Sequence, residues 1–157
     1  MYNNESEKYL KTHQPLEAID IMTYKDVIGL PKIERLQQVA HHLENKKWFH
    51  VNSTFDGGGV AEMLKSVVPI VKGLGVDAKW YSIEGNDQFY SITKRFHNII
   101  QGVNQEFTLE DLFETYIKTN KQNFKDDVLE ADFTVVHDPQ PCASIVHGEY
   151  KSKMVWR

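Results

Sequence analysis

Short apolar segments that alternate with amphipathic segments predict an α/β fold, in which helices cover both faces of a parallel sheet. The β-prone segments recur at intervals long enough for a crossover helix between them. The intervening segments carry apolar residues every three or four positions, and glycine or proline marks several boundaries. With 157 residues, 41% of them apolar and 25% charged, one globular domain with a substantial core is expected.

The first third of the chain contains a polar arm, one predicted helix and one predicted strand. Residues 1–22 are polar and weakly periodic, so we expect an N-terminal arm there and the domain at 23–157. LPKIERLQQVAHHLENKK (30–47) predicts a helix with Pro31 in its first turn. Its apolar face carries Ile33, Leu36, Val39, Ala40 and Leu43. WFHVNS (48–53) predicts a buried strand.

The next elements alternate in the same way. VAEMLKSVVPIVKGLG (60–75) predicts a helix that ends at Gly73 or Gly75, and Pro69 predicts a kink or a lost hydrogen bond within it. DAKWYSIE (77–84) alternates as a second strand. NDQFYSITKRFHNIIQG (86–102) predicts a helix with one apolar side: Phe89, Ile92, Phe96, Ile99 and Ile100.

The last third continues the pattern and completes the sheet. TLEDLFETYIKTNKQNFKDDVL (108–129) predicts a longer helix, with Thr108 as N-cap and Asp111 at the capping-box position. Its apolar stripe is Leu109, Leu112, Phe113, Tyr116, Phe124 and Val128. ADFTVVHD (131–138) predicts a third strand, PQPCASIVHGEY (139–150) a short helix and KMVWR (153–157) a fourth strand. The order indicates a three-layer Rossmann-like parallel sheet.

Composition excludes several classes of function. The net charge is −4 and no dense basic block occurs, so nucleic-acid binding is not expected. Cys142 is the only cysteine, which rules out an intrachain disulfide and favours a reducing compartment. No apolar run reaches the roughly 18 residues of a membrane span, and the start is not a signal peptide. A cytoplasmic protein without a membrane partner is expected.

The first candidate ligand site is the run Gly57, Gly58 and Gly59, which separates a strand from a helix start. Ligands of open parallel sheets bind beyond the carboxyl ends of the strands, and a helix N-terminus favours anions. The run matches neither the dinucleotide fingerprint nor the P-loop. A tight turn that needs positive φ therefore stays an equal alternative. Asp56, directly before the run, places a negative charge beside a loop that would receive phosphates. It is expected to cap the helix, and the alternative is that the loop binds a neutral sugar more than a diphosphate.

Polar residues at the same predicted edge form the second group of candidates. His137 and Asp138 follow the third strand, where a histidine can donate to a sugar hydroxyl or simply cap the next turn. Glu84 follows the second strand. Lys94, His97 and Asn98 share one helix face, which suits a polyhydroxylated ligand or plain solvent exposure. No histidine or cysteine spacing of a zinc site occurs, so no metal site is expected.

Several of these motifs together resemble a known family. HVNSTFDGGGVAEML (50–64), KWYSIEG (79–85), TKRFHN (93–98) and VVHDPQP (135–141) occur in the order and spacing of nucleotide-sugar-dependent trehalose synthase, a retaining enzyme of glycosyltransferase family 4. The resemblance covers roughly residues 24–157. It implies the N-terminal half of a GT-B enzyme, in which two Rossmann-like domains face each other. The chain stops within KMVWR, which suggests truncation before the donor-binding C-terminal domain, although a terminal edge strand is the alternative.

The resemblance also implies roles for the candidate residues. The N–H groups of Gly57, Gly58 and Gly59 would approach the donor diphosphate, and His137, as the catalytic residue, would contact the donor glucose. Around the acceptor glucose it would place a set of polar residues: Glu84, Lys94, His97, Asn98 and Asp138.

The implied partners are small molecules and the missing half of the enzyme. An NDP-glucose donor, glucose, trehalose and the protein's own C-terminal domain are implied, with no tightly bound cofactor. Mg²⁺ accompanying the nucleotide and a homodimer remain open. The fragment alone is expected to be inactive. A trehalose phosphorylase half and a non-catalytic sugar- or nucleotide-binding module are the alternatives.

Overall fold

The computed structural model describes residues 11–12, 15–123, 130–146 and 151–157, and it contains one five-stranded sheet. Its strands are β1 (Lys11–Thr12), β2 (Lys47–Asn52), β3 (Asp77–Ser82), β4 (Phe133–Val136) and β5 (Lys153–Trp156). The strand order is β1-β3-β2-β4-β5. Strands β2 to β5 are parallel, and β1 pairs antiparallel with β3. The predicted α/β class and the four predicted strands are confirmed, whereas β1 was not anticipated in the polar arm.

The register aligns the carboxyl ends of the four parallel strands. Asn52 lies opposite Ser82, and Val51 lies opposite Val136. Val136 in turn lies opposite Trp156. The segments that follow β2, β3, β4 and β5 therefore leave the sheet at one edge, which is the edge where the candidate residues cluster.

Helices connect these strands and cover the sheet. They are α1 (Lys25–Ile28), α2 (Leu30–His41), α3 (Gly59–Gly73), α4 (Asp87–Ile100) and α5 (Lys118–Asn123). A π-helical segment, Asp111–Ile117, leads into α5, and 3₁₀ turns span Ile21–Tyr24 and Cys142–Val146. Pro69 lies inside α3 without ending it. The end of α3 is a Schellman motif, in which Gly75 has φ +87° and Val76 N donates to Val71 O.

Two apolar clusters fill the two faces of the sheet. One contains Phe49, Val51, Tyr81 and Phe89 and packs beneath α4 and the π-helical segment. The other contains Leu64 and Val68 of α3 with Trp80 of β3. Because successive strand residues point to opposite faces, Phe49 and Trp80 belong to different layers. The helix–sheet–helix arrangement confirms the predicted three layers.

Two predicted apolar stripes are only partly buried. In α2, Ile33 and Ala40 are buried, but Leu36 and Val39 are exposed because no described element covers that side of the helix. In the helix after Thr108, Tyr116 is buried, whereas Leu109 and Phe113 are exposed. The π-helical winding turns residues away from the directions that an α-helical period gives them. Ile100 of α4 is exposed as well. Phe124 and Val128 lie outside the described residues.

The predicted capping box at the start of that helix is confirmed. The amide of Asp111 donates to Thr108 Oγ1 over 3.0 Å, and the amide of Thr108 donates to Asp111 Oδ2 over 3.1 Å. Arg95 of α4 forms an ion pair with the same carboxylate at 3.3 Å. These contacts hold the pKa of Asp111 below its usual range, mainly through the hydrogen bond to the Thr108 backbone. The box therefore ties the helix start to α4.

Candidate functional site

The glycine loop lies between the end of β2 and the start of α3. Gly57 and Gly58 have φ of +75° and +82°, a conformation that L-residues with a side chain rarely adopt. Gly59 is the first residue of α3 and has no positive φ. A Cβ added at any of the three would meet nothing within 4 Å. The first two glycines thus satisfy the turn requirement, and the loop also leaves its backbone open to solvent.

The N-terminus of α3 carries no side-chain cap. Its N-cap residue is Gly58, which has no side chain to accept from the first amides. The expected capping by Asp56 is therefore wrong. Gly57 and Gly58 separate that residue from the helix, and its carboxylate lies 3.2 Å from Lys65 Nζ. The lysine pairs with the negative charge beside the loop, so the α3 amides stay available to an external anion.

A cleft of about 730 Å³ opens beside this loop. It lies between the segments that follow β2 and β3, the first turn of α4, and α5. Its lining is mainly polar and includes Ser53, Thr54, Glu84, Asn86, Tyr90 and Gln122. Hydroxyl, amide and carboxylate groups of this kind suit a ligand with many hydroxyl groups. Of the predicted acceptor residues, Glu84 lies in this cleft.

Asn123, at the end of α5, fixes the backbone at that position. Its Oδ1 accepts from Glu84 N and its Nδ2 donates to Glu84 O, both over 2.7 Å. The Asn123 side chain is 1% exposed, so the paired bonds stabilise the loop from within the core. Sequence reasoning missed this residue, because an asparagine in a polar helix segment carries no signal of burial.

His137 follows β4, and its ring is buried. The residue is 1% exposed, and its amide donates to Val51 O over 2.8 Å. Its Nε2 lies 3.1 Å from Nδ1 of His50, and the two rings stack with centroids 5.3 Å apart. The pKa of each imidazole is lowered to about 4, mainly by burial; His137 also lowers the pKa of His50, and the Arg157 cation contributes to both shifts. Both rings are therefore neutral at pH 7.

Asp138 adopts a strained conformation next to this pair. Its φ is +67°, which is uncommon for a residue other than glycine. Its amide donates to Arg157 O, and its carbonyl accepts from Trp156 Nε1, both over 3.0 Å. Burial raises the pKa of its carboxyl, while His97 and Arg157 oppose the shift. Strain at a strand end beside a buried histidine is typical of functional sites.

The three candidate residues on α4 differ in exposure and in position relative to the end of β4. Lys94 and His97 are exposed, and Asn98 is half-buried. His97 acts electrostatically on Asp138, so it lies toward the β4 end, and its Nε2 is 2.9 Å from Gln101 Nε2. Lys94 lies on the exposed side of the helix. The sheet edge thus presents two neighbouring groups, one at the glycine loop and cleft and one at the ends of β4 and β5.

Sequence reasoning also missed His50 and Asn52. Both occupy alternate positions of β2, opposite in direction to Phe49 and Val51. Asn52 Oδ1 accepts from Trp80 Nε1 over 2.7 Å. The sequence did contain a signal for them. Polar residues at every second position of a buried strand indicate that this face of the strand makes specific polar contacts in addition to packing.

The described residues contain neither a candidate metal site nor a helix that could span a membrane. No group of three or more His, Cys, Asp or Glu residues there could hold a metal ion. No helix in the described ranges is long and apolar enough to cross a membrane.

A parallel sheet whose carboxyl edge carries an uncapped helix N-terminus, a polar cleft and a strained aspartate has the architecture of a Rossmann-like domain, with its candidate site at the edge where such domains place theirs. Comparison with known proteins identifies the family of this domain. Residues 50–157 match the family described as "Trehalose synthase, N-terminal domain". The chain belongs to this family, and the resemblance stated from the sequence motifs is confirmed.

Individual relatives agree with the family match. The chain is 42% identical over 135 residues to a trehalose synthase of Pyrococcus horikoshii, covering 85% of this chain and 32% of the relative. It is 38% identical over 120 residues to a trehalose synthase of Rubrobacter xylanophilus, covering 75% and 29%. A trehalose phosphorylase of Pleurotus pulmonarius is 34% identical over 88 residues, covering 54% and 12%. The chain spans about a third of the length of these synthases.

Proposed function

We propose that this chain is the N-terminal, acceptor-side part of a retaining GT-B glycosyltransferase that forms trehalose from an NDP-glucose and glucose. The observation that carries the proposal is the sheet edge itself, where an open, uncapped helix N-terminus adjoins a sugar-sized polar cleft. Family membership and the names of the relatives support the substrate class. Activity requires the C-terminal half, so the isolated chain does not catalyse transfer.

In this proposal, the glycine loop binds the donor diphosphate. Backbone N–H groups of Gly57, Gly58 and Gly59 can approach phosphate oxygens closely, because no side chain stands between them. The dipole of α3, a helix of 15 residues, adds a fixed positive potential at this end. As the sugar departs, negative charge grows on the leaving diphosphate. A preorganised donor aimed at such a charge is worth about 3 kcal/mol.

His137 serves the donor glucose. Its neutral ring acts through hydrogen bonds rather than as a cation, because its pKa of about 4 is far below neutral pH. Nδ1 of the ring is buried without a hydrogen-bond partner among the described residues. An unpaired buried nitrogen is unfavourable by about 1–3 kcal/mol, so pairing with a sugar hydroxyl is favoured. Contact requires the segment at Asp138 to shift, and that segment holds the strained φ.

The cleft serves the acceptor glucose. Glu84 lines it directly, and a carboxylate can accept two hydroxyl donors from one sugar. The remaining acceptor residues contact the sugar from the carboxyl edge of the sheet: Lys94, His97, Asn98 and Asp138. Of these, His97 and Asp138 lie near each other. Pockets of several hundred cubic ångströms are the usual size for small ligands, and this cleft falls in that range.

The remaining assignments follow from the same proposal. Residues 1–22 are the arm and residues 23–157 the acceptor-side domain, and the C-terminal domain supplies most contacts to the nucleotide. The enzyme is cytoplasmic and uses no tightly bound cofactor. Mg²⁺ with the nucleotide and a homodimer are compatible with it.

A trehalose phosphorylase is the second candidate. Relatives of that name match over 88 residues at 34–35% identity, which is the observation in its favour. Its donor would be glucose 1-phosphate, or trehalose in the reverse direction. The glycine loop could bind either a single phosphate or a diphosphate. The smaller matched share, 54% against 85% for the synthase, favours the first proposal.

Replacement of His137 by alanine in the full-length protein tests the assignment. Transfer of glucose from ADP- or UDP-glucose should fall by orders of magnitude, while a thermal melt shows that the variant remains folded. His42→Ala is the matched control, since His42 is exposed on the end of α2. A near-normal transfer rate in the folded His137→Ala variant would contradict the role.

A further inference from the structure

His50 is buried beside His137, and the sequence analysis gave it no role. The residue lies in β2 and is 4% exposed. Its backbone is paired on both sides, with Trp80 of β3 and with Val135 of β4 opposite it. The Trp48 ring packs against it with centroids 5.5 Å apart. A side chain on a central strand with rings on two sides has little freedom, so it can hold a neighbour in place.

One hydrogen bond connects the two imidazoles. Nδ1 of His50 lies 3.1 Å from Nε2 of His137. In a pair of neutral rings, one of these nitrogens carries the hydrogen and the other accepts it. If His50 donates, His137 must carry its own hydrogen on Nδ1. If His137 donates, its Nδ1 is a bare acceptor. The bond therefore couples the tautomers of the two residues.

The unpaired ends of the pair favour one of these arrangements. Nε2 of His50 is also buried without a hydrogen-bond partner among the described residues. Buried N–H groups without an acceptor are rarer in proteins than buried acceptors without a donor. Either arrangement leaves one N–H and one bare nitrogen unpaired, one on each ring. In the proposed role of His137, a sugar hydroxyl pairs with its Nδ1 as acceptor or as donor, so the end that stays unpaired is Nε2 of His50. A bare Nε2 on His50 is therefore preferred when the sugar is bound. His50 then donates from Nδ1, and His137 is left with its hydrogen on Nδ1.

We propose that His50 is a positioning residue, which fixes the ring orientation of His137 and the tautomer that donates from Nδ1 toward the transferred sugar. This inference rests on the proposed role of His137. His50 touches no substrate and acts only through the second ring.

Two substitutions separate hydrogen bonding from packing. His50→Phe keeps a buried ring against Trp48 and His137 but removes both nitrogens. His50→Asn places an amide near the position of Nδ1 and can restore the donor. His42→Phe, at an exposed position, is the matched control for added hydrophobicity.

Two measurements on the full-length protein give the result. Nitrogen NMR with labelled histidine reports the tautomer of His137, and steady-state kinetics of glucose transfer report kcat and KM. The Nδ1–H form should dominate in the wild type, be lost in His50→Phe and return in His50→Asn. Loss of the hydrogen-bond partner that orients a metal-bound histidine typically changes activity by 10- to 100-fold; by analogy, kcat should fall about tenfold or more in His50→Phe. The KM for glucose should stay unchanged.

The outcomes distinguish this inference from the proposed function. An unchanged His137 tautomer in His50→Phe, or a wild type that lacks the Nδ1–H form, overturns the positioning role. A lost tautomer with a normal transfer rate supports the positioning and overturns the part of His137 in the reaction. If His50→Phe does not fold, the spectrum and rate of His50→Asn still decide. Wild-type values in that variant support the inference, and loss of both contradicts it.

Discussion

Acidification should destabilise the domain through its buried histidine pair. Burial lowers the pKa of His50 and His137 from the ordinary value of 6.5 to about 4. As the pH falls, the unfolded chain takes up protons before the folded one, so unfolding becomes more favourable. The stabilising contribution is complete above pH 6.5 and is lost progressively toward the folded pKa of about 4.

The expected size of the effect follows from that shift. For one such histidine, lowering the pH from about 7.5 to about 5 reduces the free energy of unfolding by about 2 kcal/mol. Because the two histidines are in contact, their titrations are coupled and the two effects do not simply add. The free energy of unfolding of the domain should therefore fall by between about 2 and about 4 kcal/mol. Asp138 opposes the trend near pH 4, because burial raises its pKa and the folded state binds that proton.

Urea unfolding followed by tryptophan fluorescence, repeated at several pH values from about 7.5 to about 5, measures the free energy directly. His50→Phe removes one titrating group and should reduce the slope by up to about 1.4 kcal/mol per pH unit. His42→Gln, at an exposed position, is the matched control for the loss of one imidazole. A free energy of unfolding that is equal at both ends of the range would refute the buried, neutral pair.

Three further substitutions test local features by chemical denaturation. Gly58→Ala should lower stability by about 1 kcal/mol or more, because φ is +82° there, whereas Gly59→Ala in the helix should not. Gly58→Ala should also raise KM for the nucleotide sugar more than for glucose. Asn123→Ala should lower stability by about 3 kcal/mol, since the two half-buried backbone groups of Glu84 lose their partners and the amide of Asn123 leaves a gap in the core. Thr108→Ala removes an N-cap and should lower stability by about 1 kcal/mol.

Each of these expectations has a clear contrary result. Equal losses in Gly58→Ala and Gly59→Ala would show that backbone conformation is not what the loop requires. A stability change within experimental error in Asn123→Ala would mean that the paired amide bonds are replaced by water. An unchanged free energy in Thr108→Ala would show that the capping box adds nothing measurable.

The parts of the fold that depend on local pattern could be predicted from the sequence. The four parallel strands and the helices between them follow from apolar periodicity, and the capping box at Thr108 follows from residue type and spacing. β1 could not be predicted, because its stability comes from pairing with the distant β3. The π-helical winding at Asp111–Ile117 is a choice of backbone hydrogen bonds that the side-chain pattern does not reveal.

The candidate site was predictable in location but not in its contacts. The glycine loop and His137 stand at the ends of recognisable strands, so their common edge could be inferred. The partner of His137 could not, since His50 is 87 residues away in the chain and meets it only through the β2–β4 pairing. Asp56 was expected to cap α3. Instead, Gly57 and Gly58, both with positive φ, turn the chain between Asp56 and the helix, and the Asp56 carboxylate forms an ion pair with Lys65.

The product formed by the full-length protein tests the central proposal most directly. The protein is incubated with glucose and ADP- or UDP-glucose, and the products are identified by NMR and chromatography. The account predicts α,α-linked trehalose and free nucleoside diphosphate in equal amounts. Formation of trehalose only from glucose 1-phosphate, with release of inorganic phosphate, or no disaccharide from any glucose donor, would contradict it.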